Sequence, residues 1–373
     1  MDDFEVFSEH FCIIEDNRAE RSKRHILMEI LFIALCAMLS GAENFPDMER
    51  FGNLRIDWLS KYLKLPYGIP SHDTFERVFR VIDSKAFIDC FMKWAASLRE
   101  LTGGSVIAID GKTIRKSFDT WGGKSAMHVV GAWATEAGLA LGHVVVDSKS
   151  NEITAIPELI EKLCIKGHTV TMDAMGCQKD IAKQIVDKGG DYLLCAKGNQ
   201  GGLYESISEF FRDCEDFKDV EHTYFSTLEK EHGRIEERKC WAVEGEAKWL
   251  GLDKDWKNIR TIAMIERKRT IRRKTSTEMS YYITSLPGDA KRIALSARSH
   301  WAIENSQHWV LDVTMNEDMS RARKDNAAIN LATLRRVAIN MINLVKGKWS
   351  VRGSMKAAGW DVAFLERILA GPT

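Results

Sequence analysis

Two stretches decide the fold: Ser105-Val106-Ile107-Ala108-Ile109-Asp110 and His168-Thr169-Val170-Thr171-Met172-Asp173. Each is a short run of apolar and β-branched residues closed by an aspartate, the pattern of a buried strand that delivers a carboxylate at its end. Residues 105–109 form the first strand. Residues 127–134 and 139–146 follow, joined by Thr135-Glu136-Ala137-Gly138, a turn short enough to make them an antiparallel hairpin. A helix is expected over about 154–164, with Pro157 in its first turn and Gly167 just past its end. Strand four is 169–172. A second helix, 178–188, stops at Gly189-Gly190, and strand five is 192–196.

Three strands with a hairpin, then helix, strand, helix, strand is an α/β order with a mixed sheet, that of a ribonuclease-H-like domain. Strands one and four are neighbours in that arrangement. Asp110 and Asp173, 63 positions apart, therefore come to lie side by side.

Outward from this centre, the boundary on the N-terminal side is Gly103-Gly104, and residues 1–102 read as a helical domain. Residues 21–40 are nearly all apolar after a basic start, 47–63 are amphipathic, and Ser71 is placed to cap a helix beginning near Asp73. A further helix over 85–101 carries Phe87, Cys90, Phe91 and Trp94 on one face. Helix, turn and helix around Leu65-Pro66-Tyr67-Gly68-Ile69-Pro70 suit either DNA reading by the helix from Asp73 or a plain helical cap. Residues 103–373 read as the catalytic domain, interrupted by a mostly β insertion at about 204–288 with strands at 241–243, 259–265 and 279–284. Helices resume near Ala290, and 330–345 is strongly amphipathic.

Lys plus Arg and Asp plus Glu are equal at 53 each, so overall charge points to no partner, but the charge is uneven. Residues 258–300 hold ten Lys/Arg against three Asp/Glu, while 201–257 hold nine against fifteen. A neutral total thus conceals a basic surface suited to phosphate backbones. Eight cysteines without a Cys-x-x-Cys pair argue against a zinc ribbon and suit the free thiols of a reducing cytoplasm. The acidic start lacks the basic head of a signal peptide. The one membrane-like stretch, 26–42, contains Glu29 and reads as a buried helix, so a soluble cytoplasmic protein without a membrane partner is expected.

An aspartate at a strand end is ordinarily a turn or cap residue. Topology lifts Asp110 and Asp173 above that, because both emerge at the carboxyl edge where open sheets bind ligands, and two unpaired carboxylates there repel unless a cation sits between them. The third group comes from His300-Trp301-Ala302-Ile303-Glu304-Asn305. His300, Glu304, His308 and Asp312 recur every four residues and drift slowly around one side of a helix. They read either as a mixed His/carboxylate metal site or as Glu304 alone serving as an oxygen ligand. Two hard aspartates favour magnesium or manganese over zinc, and with them Glu304 alone. Were Glu304 on the other face of the sheet, Asp312 or Glu317 would replace it. Three such carboxylates can hold a pair of divalent cations that clamp the attacking and leaving oxygens of a phosphodiester. Lys112, Arg115 and Lys197 lie near strand ends and read either as phosphate contacts or as plain surface lysine and arginine. Arg269, Arg272 and Arg273, in the basic run 267–274, form a second candidate contact whose plain alternative is a solvated hairpin tip.

The residues also carry a resemblance. Ala108-Ile109-Asp110-Gly111-Lys112-Thr113, Ser150-Asn151-Glu152-Ile153-Thr154-Ala155-Ile156-Pro157, Asp173-Ala174-Met175-Gly176-Cys177-Gln178 and Gly190-Asp191-Tyr192-Leu193 carry its first part. Lys197-Gly198-Asn199-Gln200, His232-Gly233-Arg234, Tyr281-Tyr282-Ile283 and the segment from His300 to Val313 complete it. The chain resembles bacterial insertion-sequence transposases of the H-repeat-associated type, within the DDE (Asp-Asp-Glu) superfamily. The resemblance implies a ribonuclease-H-like core, two Mg2+ ions with Mn2+ as substitute, and cutting and joining of transposon ends. It also implies double-stranded DNA, both ends and target, as partner, with a homodimer on DNA in a bacterial cytoplasm. Carried over by position, the triad is Asp110, Asp173 and Glu304. The tyrosine, arginine and lysine that many relatives place around the glutamate fall here on Ala297, His300 and Leu311, so DNA contact on this helix passes to Arg298, His300 or His308. A DNA-binding relic without catalysis and a nuclease that cuts without joining are the competing readings.

Overall fold

The computed structural model describes the chain apart from residues 1–2, 21–22, 103–105, 119–122, 124, 147–150, 214–219, 232, 273 and 372–373. The Gly103-Gly104 boundary, Ser105, Ser150, His232 and Arg273 therefore lie outside the described residues. Six helices come first: α1 Asp3–Phe11, α2 Leu27–Leu39, α3 Phe45–Leu54, α4 Ile56–Leu59, α5 His72–Val81 and α6 Ser84–Thr102. Then follow β1 Val106–Ile114, β2 Met127–Ala134, β3 Leu139–Val145, α7 Glu152–Lys162, β4 Thr169–Met172, α8 Lys179–Asp187 and β5 Asp191–Ala196. Next are α9 Gly201–Asp213, β6 Thr223–Glu231, β7 Arg234–Glu244, α10 Glu246–Trp249, β8 Thr261–Ile271 and β9 Lys274–Thr284. Helices α11 Ala290–Ala302, α12 Ala327–Val345, α13 Val351–Trp360 and α14 Val362–Ala370 close the chain.

All nine strands form one sheet in the order β3-β2-β1-β4-β5-β9-β8-β7-β6. Its first five have the expected ribonuclease-H-like topology: β2 pairs antiparallel with β1 and β3, while β4 lies parallel to both β1 and β5. The central strands are apolar because both faces are covered. Leu194 joins the main core with Ile181 and Ile185 of α8, whereas its neighbour Leu193 faces the other way, into a smaller cluster with Ile293 and Ala297 of α11. The N-terminal helices continue the main core, α5 and α6 packing on α12 and α6 also on β3. Polar side chains of α12 stitch these parts together. Asn330 Nδ2 donates to the carbonyls of Phe79 and Ile82, and Asn340 exchanges both amide groups with the backbone of Ala140, covering the edge of β3.

Several expectations are corrected. Strand one does not stop at Ile109: β2 goes on pairing with Asp110–Ile114 after β4 has ended, so Asp110 sits inside β1. The mostly β insertion extends the main sheet through β9 against β5, and α9, with Leu203, Ile207 and Phe211 buried, occupies its start. Residues 47–63 form two helices broken at Arg55, which donates to the carbonyl of Gly359 at 2.8 Å. The Ser71 hydroxyl meets that of Thr74 rather than a backbone N–H. Helix α7 starts two residues early, which puts Pro157 in its second turn.

Glu29, the charge in the apolar α2, is buried and accepts the backbone N–H groups of Lys64 and Leu65 at 3.0 and 3.3 Å. No helix of the described residues is long and apolar enough to cross a membrane, and no disulfide joins the described cysteines.

Candidate active site

Parallel pairing of β1 with β4 ends at Ile109 and Met172, so Asp110 and Asp173 follow at equivalent positions along neighbouring strands. Asp173 leaves the sheet there, and its Oδ1 accepts the N–H of Met175 at 2.9 Å. The loop that carries it is pinned from beyond β5. Asn199 Nδ2 donates to the Ala174 carbonyl at 2.6 Å and Gln200 Nε2 to that of Cys177 at 2.9 Å. The Lys197-Gly198-Asn199-Gln200 stretch thus holds Asp173 in place.

Glu304 comes from the continuation of α11. Past Ala302 the backbone widens into π-helical turns over Ile303–His308 and Val310–Thr314, a feature common at functional sites. In a regular α-helix residues four apart drift to one side. The wider turns reverse the drift, so the four-residue series lies across β4 and β1. His300 Nδ1 is 3.2 Å from Thr171 Oγ1 on β4, His308 Nδ1 is 3.7 Å from Asp110 Oδ2, and Asp312 accepts from Lys112 at 2.5 Å. Glu304, between the two histidines, is exposed.

The electrostatics set these groups apart. Burial pushes the Asp110 carboxyl up to about 7, and the charges of Asp173, Glu304 and Glu152 add to this against one N–H bond from Gly111. Burial, with Arg336 and Lys112 nearby, brings His308 down to about 3, and burial also lowers His300, so both rings are neutral at pH 7. Among the described residues no lysine or arginine pairs with Asp110. Among the described residues no three His, Cys, Asp or Glu side chains stand close enough to one point to hold an ion as they lie. The donors are hard oxygens, the type that magnesium and manganese take. Gln307, 1% exposed, has neither amide atom partnered, and it lies against Gly131, the cross-strand partner of Asp110. A buried carboxylate raised by its acidic neighbours, beside an amide with no partner among the described residues, fits a hydrated divalent cation.

Beside Asp173 and Glu304 a groove of about 920 Å³ opens between α11 and the extension of the sheet. Alternate residues of β7 and β8 face it, apolar at Cys240 and Ile265 under α11 and basic farther out at Arg234, Arg238, Arg267 and Arg269. Arg234, Arg238 and Arg267 gather on the buried Glu236. Lys197 and Arg269 line the groove with no ion-pair partner among the described residues. Trp301, 47% exposed, lies under the Arg267 guanidinium, 5.0 Å from ring centre to the guanidinium carbon.

The other sequence candidates scatter. Lys112 is 6% exposed, and its ammonium faces Asp312, Glu317 and Asp318, so it is an internal ion-pair partner instead of a phosphate contact. Arg115 is exposed and pairs with Asp318 at 3.3 Å. Arg298 pairs with Glu229 at the groove, and His300 forms part of its inner wall. Arg272 sits exposed at the β8–β9 turn with a positive φ of 45°. Sequence reasoning gave no role to Arg234, Arg238, Gln307, Glu152 and His128. Alternation along β7 was the available signal for the first two.

A family profile described as Transposase DDE domain matches residues 101–341. The chain belongs to the DDE transposase family. A second profile, described as DDE_Tnp_1-associated, matches residues 8–95 of this transposase. The chain is 41% identical over 366 residues to the protein named "Putative transposase YncI" of Escherichia coli O157:H7, covering 97% of this chain and 94% of that one. It is 40% identical over 368 residues to "H repeat-associated putative transposase YhhI" of Escherichia coli strain K12, with 97% of each chain covered. The cryo-EM structure of a piggyBac transposase synaptic complex with hairpin DNA aligns over 98% of this chain and 78% of that one at 12% identity, with a TM-score of 0.45.

Proposed function

We propose that this transposase cuts the ends of an insertion sequence and joins them to target DNA by metal-dependent phosphodiester hydrolysis and transesterification. What supports the reading is that Asp110 and Asp173 follow at equivalent positions on neighbouring strands, with Glu304 near enough for its charge to raise the Asp110 carboxyl, beside a groove lined by basic residues. These three would hold two Mg2+ ions, or Mn2+ in their place. When bound, such ions activate the attacking oxygen and stabilise the leaving one. The remaining work belongs to the chain. Adjacent strands set the two aspartates side by side, the π-helical segment carries Glu304 to the groove that Asp173 also lines, and the neutral His308 adds no positive charge to compete. Lys197 and Arg269 receive the phosphates that flank the scissile bond, and the exposed face of Trp301 suits a base or sugar. An element has two ends, which fits a homodimer on DNA.

The test is a duplex oligonucleotide bearing the element's end, incubated with Mg2+ and a target plasmid. A nick that frees a 3′-hydroxyl, followed by a joined product, supports the reading. Cleavage without joining makes the chain a nuclease, and binding without either makes it a relic.

The groove gives a further expectation. Replacing Lys197 and Arg269 with alanine weakens binding to end sequence and random duplex by similar factors, because phosphate contacts carry no sequence information. It also reduces the slope of log affinity against log salt by about two, one for each phosphate left unneutralised. Titrations at several salt concentrations check this, and an unchanged slope removes both residues from the DNA path.

A further inference from the structure

Glu152 opens α7, one connection after β3, and its carboxylate turns back against β1 and β2. His128 Nε2 on β2 meets Glu152 Oε1 at 2.6 Å, while Nδ1 of the same ring meets Thr113 Oγ1 of β1 at 2.9 Å. Thr113 and His128 are cross-strand partners, so the imidazole is fixed at both nitrogens and the carboxylate is held by it. Glu152 has no lysine or arginine partner among the described residues and is 22% exposed.

The residue that makes room for this clasp is Gly111, immediately after Asp110. A Cβ there would stand 2.2 Å from Glu152 Oε1 and 2.8 Å from His128 Nε2. Successive residues of a strand point to opposite faces. Glu152 and His128 therefore press on the back of β1 at Gly111 while the Asp110 side chain projects from the front, toward His308. The missing side chain lets a fourth carboxylate approach the site through the thickness of one strand. A second observation on the front face points to a ligand there: the buried, unpartnered amide of Gln307 against Gly131, across from Asp110.

We infer that Glu152, clasped by His128 behind Gly111, is a positioning residue whose charge and backbone contact raise the affinity of the Asp110 site for divalent cations. This rests on the reading of Asp110 as a cation ligand. A fixed negative charge close behind a ligand draws a dication more strongly than it draws monovalent ions, and it holds β1 in one place at the residue that must not shift. Supporting groups of this kind are worth ten- to a hundredfold in metal affinity where they have been removed.

The experiment measures Mn2+ binding to the full chain without DNA, by electron paramagnetic resonance of the free ion, beside thermal melts in metal-free buffer. Glu152→Gln keeps a side-chain oxygen for the His128 bond and removes the charge. It is expected to weaken Mn2+ binding about tenfold with the metal-free melting midpoint unchanged or slightly raised, because one of several repelling charges has gone. Cleavage by the variant should fall at limiting Mn2+ and recover when the ion is raised. His128→Ala, which frees the carboxylate without removing it, should lose a smaller factor. Unchanged Mn2+ affinity in Glu152→Gln overturns the inference, as does a lowered midpoint with unchanged affinity, which makes Glu152 structural. Asp110→Asn is the control: if it too binds Mn2+ like the parent, the reading of Asp110 fails, and with it the premise rather than the role of Glu152 alone.

Discussion

Asp173→Asn is expected to abolish DNA cleavage and leave DNA binding and folding in place. The amide is the same size, and its oxygen can still accept the Met175 N–H that closes the turn. What it loses is the charge that a hard cation requires. Metal ions contribute several kcal/mol to stabilising a phosphoryl transition state, so a loss of about 4 kcal/mol corresponds to about a thousandfold in rate. Binding should hold or tighten slightly, since Asp173 lines the groove and its charge opposes phosphate. The thermal midpoint should also hold, because removing one of several like charges relieves repulsion at Asp110. Cleavage of a labelled end, gel shifts with the same duplex and a melt by circular dichroism separate these effects. Parallel loss of binding, cleavage and melting temperature would assign Asp173 to folding.

The parts of this site that were legible in the sequence are those that depend on burial. Strands β1, β4 and β5 are apolar on both faces and therefore visible as runs, and their order alone made Asp110 and Asp173 neighbours. Strand β6 escaped because the face it turns to the groove carries Phe225 and Thr227 and its other face carries Tyr224 and Leu228, a mixture without clean alternation. Helix α9 escaped because its three buried residues were absorbed into a mostly β reading of the insertion. Lys112 was misassigned for a reason the strand period could have exposed. It lies two residues from Asp110, so both point to the same face, under a helix whose Asp312 follows His308 by four positions. Glu152 could not be weighed from spacing alone, because its approach to Asp110 passes through the empty side of Gly111 and the register of His128 against Thr113.

Lys112→Met is expected to give the largest loss of stability among the residues singled out from sequence. Its ammonium lies 2.5 Å from Asp312, 3.3 Å from Glu317 and 3.6 Å from Asp318, and Glu317 is completely buried. Methionine matches the length of the stem but leaves that carboxylate, among the described residues, with only Arg336, at 3.4 Å, for close ionic company. Removing one partner of a buried ion pair strands the other, at about 3–5 kcal/mol. The surviving Arg336 argues for the lower end, about 3 kcal/mol. The pH dependence has a definite sign. Burial raises the Glu317 carboxyl, but Arg336, Lys112 and Arg335 outweigh it and hold the group below its ordinary value. Its contribution is therefore present above the ordinary glutamate range and lost as the pH falls through the depressed folded value. Without Lys112 the depression shrinks, so the deficit of the variant is greatest near pH 7 and narrows as the pH falls toward 4. Denaturant titrations at pH 7, 5.5 and 4.5 check both magnitude and trend. A deficit below about 1 kcal/mol, the range of a surface pair, or one that does not change with pH, would mean that Lys112 is solvated. Because the same ammonium ties β1 to the segment that carries Glu304, the folded fraction of the variant should also cleave DNA more slowly. That links the stability of this buried pair to the geometry of Asp110, two residues along β1, and of Glu304, eight residues before Asp312.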